Sequence, residues 1–345
     1  MSAKDRPRTR QNLSEGPRVS PGQAEVAMPS LSIIISTVRF RTLPHTVQSL
    51  LGQTFSDWEL IVVDQSGTAE IGDYLAAQND PRIRHLPQQQ RGLSHGRNAG
   101  IRAAAADILA FTDDDCEAAP EWVAAIHALF AADKTDLLFG PVVAPPTYRP
   151  GAEFCPAYPV PVAGYYQWDS VARDIGTGIG ANMSLHRRVV ATLGEFDPVL
   201  GAGSAQIPSA EETDYVLRAL AHGLRVYSAP LPPIVHTYGV REGAQGKALE
   251  QRGNFGVGAV HEKMLRGPYR AAARPHLDRL YRCLRRQVIL NLLRGRRRQL
   301  GIKRLRALLQ GRAYVRRHFA VSSDALLVPK SGDLALTAAQ TNLPV

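Results

Sequence analysis

The sequence predicts an α/β fold: a doubly wound, mostly parallel sheet flanked by helices, with a basic helical extension at its C-terminal end. Short apolar runs of strand length, in "SLSIIISTVRF", "WELIVVDQSG" and "DILAFTDDD", are continuous rather than alternating, as strands covered on both faces are. Segments with helical spacing of apolar residues separate these runs, which is the pattern of βαβ units. The second and fourth strands end in carboxylates, Asp64 and the triplet Asp113, Asp114, Asp115, where sheets of this kind bind their ligands.

Taken in order, residues 1–29 are polar, basic and dotted with Pro and Gly, which predicts a disordered leader. The first strand lies within Leu31 to Thr37. A helix follows in "TLPHTVQSLLGQ", with Leu43, Val47, Leu50 and Leu51 on one face and Gly52 closing it. "RIRHLP" is a weaker third strand, "SHGRNAGIRAAAA" a small-residue helix, and "DILAFTD" the fourth strand. After Pro120, "EWVAAIHALFAA" places Trp122, Ile126, Leu129 and Phe130 on one stripe. "DLLFGPVV" predicts a strand, Ala144 to Tyr166 a long loop, and "GTGIGANMSLHRRVV" a glycine-rich approach to another strand. "SAEETDYVLRALAHG" is a short helix, and "RVYSAPLPPIVHTYG" two short strands broken by prolines. The expected organisation is a leader over 1–29, a catalytic domain over 30–240, a basic helical extension over 241–320 and a flexible tail over 321–345.

The chain has 345 residues, 44% of them hydrophobic, enough for a sizeable core. No run approaches the ~18 apolar residues of a membrane-spanning helix, and no apolar segment follows the basic N-terminus as in a secretory signal. Cys116, Cys155 and Cys283 show no paired spacing, which points to a reducing, cytoplasmic compartment. The formal charge of +10 is unevenly spread: residues 261–320 hold 18 Lys and Arg against Glu262 and Asp278, while 31–260 is net acidic.

Three adjacent carboxylates at a strand end are either solvated, a helix cap, or a grip on a cation. Capping is disfavoured, because Pro120 suits the first helical turn and puts the cap near Ala119. A hard divalent cation, Mg²⁺ or Mn²⁺, bridging carboxylates to a diphosphate, is the sharper reading.

Residues 31–240 resemble the family 2 glycosyltransferases. The resemblance rests on five elements in order: "SIIISTVRFRTLPHTVQSLLGQT", "WELIVVDQSG", "RGLSHGRNAGIRAAAADILAFTDDDC", "GANMSLHRRVVATLGEFD" and "EETDYVLRALAHG". It implies a GT-A fold and a nucleoside diphosphate sugar donor, UDP- or dTDP-linked. The triplet resembles the family's DxD motif, with Asp113 and Asp115 on the metal and Asp114 able to replace either. Asp64 resembles a nucleotide-base contact, although an Asp before Ser-Gly also forms turns. Thr37 and Arg39 resemble nucleotide-pocket residues. Arg97 and Asn98 lie in a segment similar to the family's GxxxARNxG, where Arg97 suits phosphate oxygens; His95 stands where the family often has a small residue.

Inverting transfer needs a carboxylate to take the acceptor hydroxyl's proton. In "EETDY", which is similar to the family's ED-x-D motif, Glu211 matches the first acid, Glu212 the base and Asp214 the third acid; Glu211 stays open as the base. Ser209-Ala-Glu-Glu212 also fits an S-x-x-E capping box. The resemblance implies that His236 reaches the metal or diphosphate and that Asn182 lines the sugar pocket. Trp168 and the Tyr165-Tyr166 pair suit stacking on acceptor sugars, or ordinary packing.

In the basic segment, Leu277, Tyr281, Leu284, Val288 and Leu292 recur at helical spacing. These helices pack on the catalytic domain, lie on an anionic membrane surface, or bind nucleic acid through phosphates. Nucleic acid ranks last, for lack of a recognised reading fold. The expected function is a metal-assisted glycosyltransferase, peripheral on the inner face of the membrane, acting on a glycan or lipid-linked acceptor. Its rivals are a nucleotidyltransferase, for which "STVRFRTLP" lacks glycines, and a non-enzymatic binding protein acting through the basic segment.

Overall fold

The computed structural model describes residues 28–159, 163–173, 176, 178–293 and 300–330. The leader expected over 1–29 lies almost wholly outside them. Strands β1 (Leu31–Thr37), β2 (Trp58–Asp64), β3 (Ile83–Pro87) and β4 (Ile108–Asp113) stand where the apolar runs predict them. They pair in parallel in the order β3-β2-β1-β4. Beyond β4 the sheet continues through Met183–His186, Leu137–Phe139, Val226–Ser228 and Gly164–Tyr166. Only the first and last of these four run against the rest.

Alternate residues of β1 enter different layers, which explains its uninterrupted apolar run. Ile33 and Ile35 pack with Leu43, Val47 and Leu50 of α1 (Leu43–Leu51), with Ile71 and Leu75 of α2 (Glu70–Ala77), and through that layer with Trp122 and Ile126 further along the chain. Ile34 enters the opposite layer with Ile101 of α3 (Leu93–Ala103). This helix lies so close to β1 that a Cβ on Gly96 would sit 1.9 Å from Ser36 Oγ. Trp122 and Ile126 belong to α4 (Trp122–Ala131).

"DLLFGPVV" divides at Gly140-Pro141, as a proline that cannot donate to a ladder would demand. Leu137–Phe139 joins the main sheet, whereas Val142–Val143 pairs with Ile234–Val235 in a small sheet completed by Glu117–Ala118. The expected loop over 144–166 contains two short strands, of which Gly164–Tyr166 forms one edge of the main sheet. Three residues are too few to show a period.

After α5 (Trp168–Ala172), α6 (Arg187–Leu193) and α7 (Glu211–Ala221), the C-terminal segment forms α8 (Gly243–Arg266), α9 (Arg270–Leu293) and α10 (Leu300–His318). Phe255, Val260, Leu277, Leu280 and Val315 belong to the same core as Ile34, Phe111 and Tyr215. The stripe read from the sequence therefore packs on the body along the first half of α9. Its far end does not, for Leu292 is 59% exposed and Leu293 78%.

The first residues of the tail expected over 321–345 are ordered in a ladder, in which Leu327–Pro329 pairs with Phe319–Val321, with Phe319 and Leu327 buried in the common core; residues 331–345 lie outside the described residues. A sealed ionic cluster fastens α8 beneath α7. Lys263 Nζ lies 2.7 Å from both Asp197 and Asp214, and Asp214 also holds Arg218 at 2.9 Å. The Leu327 N–H donates to Asp197 at 2.9 Å, tying the ladder to the same cluster.

Candidate active site

Parallel register brings the strand ends level. Thr37 pairs with Asp64 across β1–β2, and Ser36 with Asp113 across β1–β4. Asp114 and Asp115 follow at the same edge, both buried. The Thr37 hydroxyl donates to Asp114. Arg39 reaches over the pair, with Nη2 at 2.9 Å from Asp114 and 3.4 Å from Asp115. Asp113 is the most open of the three, its side chain 27% exposed. Burial nonetheless pushes its carboxyl up to about 6, with Arg97 opposing and the other two acids reinforcing the shift.

The small sheet delivers His236 directly after Ile234–Val235. Its Nε2 lies 3.2 Å from Asp115, and its Nδ1 stands 3.0 Å from the Pro156 carbonyl. Burial works against a charge on this ring, but the bond to Asp115 prevails and lifts it to about 11, while holding Asp115 below the ordinary carboxylate range.

Arg97 of α3 joins the triplet to α7. Its guanidinium is almost wholly buried, with Nη1 2.8 Å from Glu211 and Nη2 3.4 Å from Asp113. Gly180 makes room for it, since a Cβ there would come within 2.5 Å of Nη2. The capping box that Ser209-Ala-Glu-Glu212 also fits does not form at α7. The Ser209 hydroxyl donates instead to the Arg252 carbonyl at 2.8 Å, and Ala210 enters the helix at φ 71°, a left-handed conformation that non-glycine residues adopt at a cost.

The two glutamates part company here. Glu211 is paired with Arg97. Burial, the neighbouring Glu211 charge and a hydrogen bond between the two push Glu212 well above the ordinary carboxylate range. A raised pKa makes the Glu212 carboxylate, once formed, a stronger base than a carboxylate locked in an ion pair.

Several expected contacts are committed elsewhere. Asn98 spends its amide on the Phe196 backbone, accepting from its N–H and donating to its carbonyl, both at 2.9 Å. Asn182 accepts from the Trp122 indole at 2.8 Å and donates to the Pro141 carbonyl at 2.9 Å, so it braces the fold rather than facing a sugar. Asp214 is fully buried with Lys263 and Arg218, four residues from the latter on the inward face of α7, and is closed to an acceptor. Trp168 follows Tyr166, which is level with Val226 and Leu137 at the opposite end of the sheet; it stacks on His276 there. Asp64 makes the turn, accepting from the Ser66 N–H at 2.8 Å, and also meets His85 at 2.9 Å. It nevertheless borders a cavity of about 620 Å³ with Thr68, Gln88 and Arg91.

Sequence reasoning missed Gln65, whose amide holds the Gln90 and Gly92 carbonyls ahead of α3, and Cys116. Donor atoms of Asp115, Cys116 and His236 lie within 4.8 Å of one another. Burial pushes the Cys116 thiol well above its ordinary value, so it stays protonated and leaves oxygen and imidazole as the donors. One carboxylate and an imidazole from this group, the imidazole giving up its proton on binding, with Asp113 and Asp114 at the same strand edge, fit Mg²⁺ or Mn²⁺.

The chain is similar to known glycosyltransferases. Glucosyl-dolichyl phosphate glucuronosyltransferase of Haloferax volcanii is 24% identical over 200 residues, 54% of this chain and 62% of that protein. Validoxylamine A glucosyltransferase of Streptomyces hygroscopicus subsp. limoneus is 33% identical over 129 residues, 33% of this chain and 28% of its own length. The chain thus spans less than two thirds of these relatives.

Among solved structures, S. aureus TarS superposes with a TM-score of 0.50 at 14% identity, over 68% of this chain and 40% of that one. GalNAc-T7 with UDP, GalNAc and Mn²⁺ gives 0.50 at 19%, over 69% and 48%. The fold is therefore GT-A-like. Residues 32–194, which carry β1, β2, the triplet and Arg97, match the model of Glycosyl transferase family 2, and over this segment the chain resembles that family.

Proposed function

We propose that the protein is an inverting glycosyltransferase that moves a sugar from a nucleoside diphosphate, UDP- or dTDP-linked, to an acceptor hydroxyl. One observation carries the reading: a single buried side chain, Arg97, touches both the strand-end acid Asp113 and the α7 acid Glu211. It sets the carboxylates that suit a donor diphosphate beside the carboxyl that suits an acceptor proton.

In this reading Glu212 takes the proton of the acceptor hydroxyl. The freed oxygen attacks the anomeric carbon from the face opposite the diphosphate, whose bond to that carbon breaks in the same displacement. Arg39, half exposed at the mouth, meets diphosphate oxygens, and Arg97 holds Glu211 in its ion pair so that Glu212 receives the proton. The nucleotide base lies toward the Asp64 cavity. Asp113, Asp115 and His236 would hold a bound Mg²⁺ or Mn²⁺, which supplies charge neutralisation at the leaving diphosphate.

The acceptor is a glycan or lipid-linked glycan, and the protein works peripherally at an anionic membrane on the cytoplasmic side. The exposed apolar end of α9, with Ile289 55% exposed beside Leu292 and Leu293, favours that placement. Among the described residues no helix is long and apolar enough to cross a membrane.

The test is donor turnover. Purified protein is incubated with UDP-, dTDP- and GDP-sugars and Mn²⁺, and released nucleoside diphosphate is measured. Release from one nucleotide class, lost on adding EDTA, is expected; no release from any class, with or without lipid-linked acceptors, would overturn the proposal.

A further inference from the structure

The face of the C-terminal extension between α8 and α10 contains a groove of about 600 Å³ that the catalytic cleft does not use. Its floor is apolar, formed by Phe255, Ala307 and Tyr314 among others. Its rim carries four cations, Arg252, Lys303, Arg306 and Arg317, and among the described residues no acid lines it.

The groove is built into the packing of the extension. α10 crosses α8 so closely that a Cβ on Gly311 would lie 1.9 Å from the Phe255 carbonyl oxygen, and one on Gly258 2.0 Å from that of Leu308. It also adjoins the proposed base. The Arg252 carbonyl on its wall accepts the Ser209 hydroxyl, and Gly256 packs against Ser209 and Ala210, the residues that lead into Glu211 and Glu212.

Two chemistries are combined there. A free phosphate would meet only side chains, because the walls are helix flanks whose backbone N–H groups are bonded within their helices. A neutral chain would leave the cations without a partner. A ligand with an apolar chain and an anionic head satisfies both floor and rim.

We propose that the α8–α10 groove binds a lipid phosphate, and that this lipid is the anchored part of the acceptor, led toward Glu212. The binding claim stands on the groove alone, whereas the acceptor role rests on the transferase reading.

The experiment uses the full chain and four kinds of probe: farnesyl phosphate below its micelle concentration, farnesol, inorganic phosphate, and the nucleoside diphosphates UDP, GDP and dTDP, each with Mn²⁺. Two variants at exposed groove positions, Lys303→Glu/Arg306→Glu and Ala313→Trp, are compared with the parent after circular dichroism has shown that all are folded. Saturable binding of farnesyl phosphate is expected, about tenfold or more tighter than farnesol or phosphate. Both variants should weaken it by about tenfold or more and leave UDP binding unchanged.

Equal binding of inorganic phosphate, or variants that bind the lipid as the parent does, would overturn the groove as a lipid site. Absence of lipid binding with UDP binding intact would remove the groove and leave the transferase reading standing. Lipid binding without UDP, GDP or dTDP binding would sink the acceptor role along with that reading.

Discussion

Two ionic clusters meet at α7, and they are built from the same residue types. Below the helix, Asp197 and Asp214 face Lys263 and Arg218, with every side chain at most 1% exposed. Above it, Asp113, Asp114, Asp115, Glu211 and Glu212 share Arg39, Arg97 and His236, and solvent reaches Asp113 and Arg39. The lower cluster balances two acids with two cations and is sealed. The upper one has five carboxyls against three cations and is open on one side. Balance and closure make a brace, whereas surplus acid and access make a site for a cation and its ligand. Burial, reinforced by the neighbouring acids, pushes the carboxyls of Asp113, Asp114 and Glu212 upward.

The largest effect should come from unbalancing the brace. Lys263→Met takes the cation from buried Asp197 and leaves Asp214 with Arg218 alone, and should cost about 3–5 kcal/mol, read as a fall in urea midpoint. The matching change above, Glu212→Gln, removes a carboxyl that the fold already prefers neutral. It should leave the urea midpoint near that of the parent while lowering kcat by about 10²–10⁴-fold. If Glu211→Gln proved equally inactive with a normal fold, the division of roles between the two glutamates would fail.

A smaller, pH-dependent effect follows from Glu212 itself. Folding raises its pKa above the ordinary 4.5, so the native state keeps a proton that the unfolded chain has lost. Its contribution to stability is therefore present below pH 4.5 and is lost as pH rises through the raised value. Transfer should run the other way, rising over the same window as the carboxylate base appears. Thermal midpoints and kcat measured against pH should show opposite slopes, and Glu212→Gln should flatten the stability slope. The smallest effect is expected from Trp168→Ala. Its ring lies at the far end of the sheet, so nucleotide affinity should move by less than about twofold, a change of under ~0.5 kcal/mol.

The frame of the molecule was legible because burial leaves a periodic trace. The run Leu31 to Thr37 and the stripe from Leu43 to Leu51 predict β1 and α1, and β1 serves both layers of core. The acids at the strand ends were legible by position. What a polar side chain touches leaves no such trace. Asn98 and Asn182 read as ligand-binding amides, and each instead brackets distant backbone or an indole. Lys263 read as one more charge in a basic segment, yet it is the buried partner of two acids, one 66 residues away. The α7 acids carried the site motif, but only the fold distinguishes Asp214, turned inward, from Glu211 on Arg97 and Glu212 beside the cleft.

On this reading the open cluster takes a cation and a nucleoside diphosphate together. Titration calorimetry of UDP into the protein, with Mn²⁺ and with EDTA, for the parent and for Asp115→Asn, tests it most directly. The account predicts saturable binding that requires both the metal and the Asp115 carboxylate. UDP, GDP and dTDP all failing to bind a folded parent, or Asp115→Asn binding as the parent does, would contradict it.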